Sequence, residues 1–238
     1  GVFDTERTLP SSFAIASGLC DSGMYHGIME EYVKKLGIGY GTVKFTTVIP
    51  HACDEIVSKS GFPPGIAWTC YHGLGHAFMF ISDEDVSKSL ELCDYLSEGA
   101  QGCYTGVFME NIQAKEVGVV PTHFKKFAFN SADPDYPCDQ LDEKYSTYCY
   151  IFKGASNVLE EKGNFEKAFQ DCKKVLVRYK KDCFYGVGSD IPAPQFTSAE
   201  AAAKCKVALD VDPEAYRQCV LGAMAFIAEL NLGNMQAA

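Results

Sequence analysis

No stretch of this 238-residue chain approaches the roughly 18 apolar residues that a membrane-spanning helix needs, so no transmembrane segment is expected. Long basic runs are missing too. The nearest is the short "VRYKKD" (177–182), and with a formal net charge of -10 the chain has no electrostatic grip for nucleic acid or anionic lipid. CxxC and CxxCH motifs are absent, and no cysteine quartet has zinc-finger spacing, which removes thiolate zinc sites and covalent haem. The opening "GVFDTERTLP" lacks the basic and apolar regions of a signal peptide, and a start at Gly1 is that expected of a mature, processed product. Small molecules, metal cations and other proteins remain as partners.

What is present is a composition of 47% hydrophobic and 22% charged residues, ample for a core and expected to form one domain over residues 1–238. Eleven cysteines accompany it, with free thiols, metal thiolates and disulfides as their competing uses. Their order favours disulfides. "CDEIVSKSGFPPGIAWTC" (53–70), "CDYLSEGAQGC" (93–103), "CDQLDEKYSTYC" (138–149), "CKKVLVRYKKDC" (172–183) and "CKVALDVDPEAYRQC" (205–219) each match a closing cysteine to an opening one. The pairs Cys53–Cys70, Cys93–Cys103, Cys138–Cys149, Cys172–Cys183 and Cys205–Cys219 leave Cys20 over, as a buried thiol or an intermolecular bridge. Such a framework implies an extracellular or periplasmic protein.

The opening cysteines recur at 70, 103, 149, 183 and 219, with intervals of 33, 46, 34 and 36 residues, the period of stacked helical hairpins. "CYHG" at 70, "CYTG" at 103, "CFYG" at 183 and "CVLG" at 219 each set a glycine three residues on, and "MYHG" at 24 is a related unit. A helix-interior glycine costs about 1 kcal/mol against alanine, so its repetition predicts close approach of neighbouring backbones. "CYIFKG" at 149 departs, placing Gly154 two residues late. A second helix of each unit ends at the next closing cysteine: "SDEDVSKSLELC" (82–93), "GNFEKAFQDC" (163–172) and "TSAEAAAKC" (197–205). Ser82 with Asp85, and Thr197 with Glu200, fit the N-cap signature. The expected fold is all-α, a disulfide-stapled αα-hairpin solenoid of about six units.

"KSLELCDYLSEGAQGCYTG" and "KAFQDCKKVLVRYKKDCFYG" resemble the cysteine-rich Sel1-like repeats in repeat length and cysteine spacing, over most of residues 53–230. The resemblance implies a right-handed superhelix of the Sel1 and tetratricopeptide kind that binds proteins or peptides. It carries no catalytic residue onto these positions.

Repeats that share a structural demand should look alike at equivalent positions, and some here do not. The residue before the recurring glycine reads His26, His72, Thr105, Tyr185, Leu221; three after it stand Glu30, His76, Met109, Ser189, Ala225; four after it stand Glu31, Ala77, Glu110, Asp190, Phe226. Polar residues gather in the first three units. If equivalent positions on adjacent helices face each other, His26 and Glu30 come beside His72 and His76, with Glu110 next. That is a His/Glu set for a divalent transition metal, Zn, Fe, Mn or Cu. Three donors and an open position permit a metal-activated water, with Glu110 or Glu31 as base. The plainer reading keeps the histidines as hydrogen-bonded core residues, since "HGLGH" lacks the glutamate of HExxH. Haem held by two histidines is a further option.

The long interval contains an insertion at about 112–137, placed where lids and binding loops occur, and its His123 is a candidate ligand or base. Within it "NSADPDYPCD" offers Asn130, Asp133, Asp135 and Asp139 as oxygen donors without EF-hand spacing. Tyr25, Tyr71, Tyr104 and Tyr150 read as packing between repeats, and Trp68 as core or as a wall of the site. Pro192 and Pro194 predict an early stop for the helix that opens at Cys183. Of the methionines only Met29 and Met109 fall near the proposed site. Two functions follow: a metal-binding helical-repeat protein, or a metal-free module for protein–protein contact or self-association.

Overall fold

A computed structural model describes residues 8–16, 23–37, 43–58, 61–62, 65–96, 98–116, 127–129, 132–190 and 198–230. The regular elements among these residues are all helices, with no strand, and they divide into two compact units. The first runs through the described residues up to 116 and the second through residues 127–229.

The first unit contains α1 (Leu9–Ile15), α2 (Gly23–Lys35), α3 (Val43–Val48), α4 (Asp54–Ser58), α5 (Ile66–Ile81), α6 (Val86–Cys93) and α7 (Ala100–Glu116). Helix α5 is its axis, packed against α2, α6 and α7 and buried over nearly its whole length, including His72, Gly73, Gly75 and His76. That burial explains why the segment has no polar face. The second unit contains α8 (Ser146–Glu160), α9 (Phe165–Cys172), α10 (Lys180–Ser189), α11 (Ser198–Cys205) and α12 (Pro213–Leu230). Its core includes the stacked pair Tyr150 and Tyr179, ring centroids 4.4 Å apart.

All five disulfides join the cysteines that the sequence order pairs, from Cys53–Cys70 to Cys205–Cys219. Each closes a loop of 10 to 17 residues, and a loop of that length stabilises by roughly 3 kcal/mol through the unfolded chain. Three of them tie the end of a short helix to the long helix that follows: α6 to α7, α9 to α10, and α11 to α12.

Two glycines per step set the distance between long helices. A Cβ on Gly106 would overlap the His72 carbonyl, one on Gly186 the Ile151 carbonyl and one on Gly222 the Tyr185 carbonyl. In the other direction Gly75 meets the carbonyl of Cys103, Gly154 that of Cys183 and Gly188 that of Cys219. Gly154 is therefore no displaced copy of the first glycine. It is the second member of the pair, five residues after its cysteine, and Phe152 stands at the first position. Counted from their cysteines, the corresponding positions are Phe108 in α7 and Phe152 in α8, and the boundary between the two units falls between these helices in the chain.

Several local expectations are revised. The N-cap of α6 is Asp85, whose carboxylate accepts from the Lys88 N–H; Ser82 instead closes α5 and donates to the Met79 carbonyl. The α9 cap is Asn164, which accepts from the Lys167 N–H, while Thr197 lies outside the described residues. Helix α7 continues to Glu116, so the first residues of the expected insertion are helical. Trp68 is 38% exposed and so does not fill the core. Tyr25, Tyr104 and Tyr150 are buried, and Tyr71 covers Gly99 and Gly102. Helix α10 ends at Ser189, short of the prolines, which lie outside the described residues together with Cys20, His123 and Asn130. The aspartates of the insertion bond within the fold: Asp133 accepts from the backbone N–H groups of Asp135 and Tyr136, and Asp135 from the Tyr150 hydroxyl and the Leu176 N–H.

Candidate metal centre

Three histidines from two neighbouring helices converge inside the first unit. His26 comes from α2, and His72 and His76 lie one turn apart on α5. One ring nitrogen from each falls within 4.8 Å of the others, and all three residues are buried. The His26 ring stacks on that of His76 with centroids 3.9 Å apart, and sits 5.2 Å from that of His72. The close approach of α2 to α5 runs over Gly73, which lies against the Met29 side chain, while Gly75 and Gly106 bring α7, with Thr105 and Glu110, against α5.

The outer hydrogen bonds assign the tautomers. The Glu110 carboxylate accepts from Nδ1 of His76 at 2.7 Å. Thr105 donates its single hydroxyl proton to the Gly102 carbonyl at 2.6 Å, so its oxygen is left to accept from Nδ1 of His72 at 2.8 Å. With both Nδ1 atoms carrying protons, the neutral form of each ring presents its lone pair on Nε2, and the two Nε2 atoms face each other 3.2 Å apart. Nε2 of His26 is buried with no hydrogen-bond partner. The centre therefore gathers imidazole nitrogens, one of them, Nε2 of His26, with no partner.

Protonation of His26 or His72 is disfavoured. Burial, followed by the neighbouring His76, pushes His26 down to about 3, and the same two causes with His26 added hold His72 well below the usual histidine range. Carboxylates surround the site instead. Burial and then Glu110 raise Glu30, while Glu84 is pushed up to about 7 by burial and then by Glu110, Glu30 and Asp83. Histidines held from protonating, His26 and His72, beside acids of raised pKa, Glu30 and Glu84, form a setting that a bound cation relieves.

Glu84 is the site residue that sequence reasoning missed. It reaches the acidic group through two consecutive left-handed residues, Asp83 and Glu84, with φ of 60° and 62°, closed by a bond from the Glu84 N–H to the Met79 carbonyl. The second unit makes the same turn with Lys162 and Gly163, closed from Gly163 to the Val158 carbonyl. Counting from Cys70 and Cys149, Glu84 stands where Gly163 stands. A glutamate in a glycine position costs about 1–2 kcal/mol of backbone strain, and the repeat alignment contains that signal.

Of the other sequence candidates, Glu110 sits behind His76 as its hydrogen-bond acceptor, outside the converging nitrogens. Glu30 belongs to the acidic surround, and Glu31 pairs with Lys34 at 3.0 Å on the surface. Comparison with protein-family models, curated proteins and solved structures finds no match. No described helix is long and apolar enough to cross a membrane.

Proposed function

We propose that this is a secreted or periplasmic metal-binding helical-repeat protein that holds a divalent transition metal on His26, His72 and His76. The observation that carries the reading is the convergence of three buried ring nitrogens within 4.8 Å, with the Nε2 atoms of His72 and His76 3.2 Å apart and each free to act as a ligand in the neutral ring whose Nδ1 bonds to Thr105 or Glu110. A lone pair opposite a lone pair is repulsive until a cation lies near both. Histidine ligands oriented through a carboxylate or hydroxyl on the far nitrogen are the usual second shell of a metal site. Imidazole donors suit zinc, copper and iron better than manganese, which prefers oxygen. Ring centroids 3.9 to 5.2 Å apart leave no room for a porphyrin between two of these imidazoles. Five disulfides suit the oxidising compartment in the reading, because a reducing cytosol would not preserve them.

Titration of the metal-free protein with zinc, followed by calorimetry, tests the proposal. One ion per chain is expected for the native sequence and none at comparable affinity for His26→Ala. Equal binding by both would remove His26, and with it the three-histidine site.

A further inference from the structure

The three imidazoles do not exhaust the lone pairs at this centre. Met109 projects from α7 so that its Sδ lies 3.3 Å from Nε2 of His72, the nitrogen whose lone pair also faces His76. No hydrogen lies between sulfur and nitrogen in that contact, because the His72 proton is on Nδ1, held by Thr105. The contact is therefore not a hydrogen bond. It places a thioether at the edge of the nitrogen cluster, one helical repeat along from His76, at the position that Ser189 and Ala225 occupy in later repeats.

Resting on the metal-site reading above, we propose that Met109 is the fourth ligand and that the centre takes copper(I). A thioether is a soft donor that binds zinc poorly and adds little to a site for iron or manganese, whereas copper(I) accepts sulfur and imidazole together. Three imidazoles and a thioether are a donor set without formal negative charge, which suits a univalent ion, and the carboxylate of Glu110 is engaged behind His76. With its fourth position filled from the protein, the centre is closed and suited to holding the ion, with no vacant position for an activated water.

Copper(II) outcompetes zinc on almost any nitrogen site, so a preference between those two ions decides nothing. The decisive comparison is the native protein beside Met109→Leu, a swap that keeps side-chain volume, with folding checked by the thermal midpoint. Copper(I) affinity is measured without oxygen against a colorimetric copper(I) chelator, under ascorbate, and zinc affinity is measured in parallel. X-ray absorption of the copper(I)-loaded native protein supplies a readout independent of the variant. The proposal expects at least a tenfold loss of copper(I) affinity in Met109→Leu, unchanged zinc affinity, and a sulfur scatterer beside nitrogen that the variant lacks. An unchanged copper(I) affinity, an equal loss of both metals, or a copper shell of nitrogen alone would overturn it while leaving the three-histidine site standing. Failure of the native protein to bind either ion would overturn both.

Discussion

Thr105 and Glu110 do their work one atom removed from the centre. Each accepts the Nδ1 proton of a histidine and so fixes a lone pair on the opposite nitrogen. Thr105→Val and Glu110→Gln should each lower metal affinity about 10- to 100-fold while leaving the fold in place, as measured by competition with a chelator. Glu84 acts through charge. Its folded-state pKa of about 7 lies above the ordinary glutamate value, so the folded protein binds the extra proton between those two values. Stability from this group is present at low pH and lost as pH rises through 7. Glu84→Gln should therefore stabilise the metal-free protein at pH 8 by about 1 to 2 kcal/mol, less than the whole shift implies because the side chain is only partly buried, and should have no such effect at pH 4. Chemical denaturation at the two pH values checks the sign. His26 and His72 act oppositely: their lowered values make the unfolded chain take up protons first as pH falls below the ordinary histidine range, so the metal-free fold weakens there.

Helices tolerate glycine here because the backbones touch through it. Gly106→Ala would push a methyl group into the His72 carbonyl, and about 3 kcal/mol of destabilisation is expected in denaturant unfolding, with loss of the metal-site geometry. Gly27 is the control. It is the glycine of the related "MYHG" unit, yet nothing lies within 4 Å of a Cβ built there, so Gly27→Ala should stabilise by up to about 1 kcal/mol through helix propensity alone. The contrast shows how far the sequence was legible at this scale. Cysteine order and the glycine interval specified the long helices, the short ones and their staples, because both depend on spacing along the chain. Gly154 was misread because one glycine per repeat was assumed where the packing uses two. The three histidines were found by comparing repeats. Glu84 was missed because its special feature is a left-handed backbone in a turn, visible in the sequence only beside Gly163. Met109 was noticed as near the site, but its contact with His72 depends on a side-chain path that spacing does not encode.

For the whole molecule, the buried histidine cluster belongs to the first unit and the second carries a different set of buried polar groups. Lys153, buried to 1% exposure, donates to the carbonyls of Asp133 and Tyr136, with no histidine among the residues of that unit. Metal should therefore stabilise the two units unequally. Hydrogen exchange on the intact chain with and without zinc should show slower exchange in α2, α5 and α7 and no change in α8 to α10; equal protection throughout would contradict a site confined to the first unit. The most direct test is elemental analysis of the natively purified protein beside a His72→Ala/His76→Ala variant. Near-stoichiometric transition metal in the native protein, lost in the variant, is the expected result. Native protein that is metal-free, and that takes up neither zinc nor copper when they are supplied, would return "CYHGLGHAFMF" to a packed seam between helices.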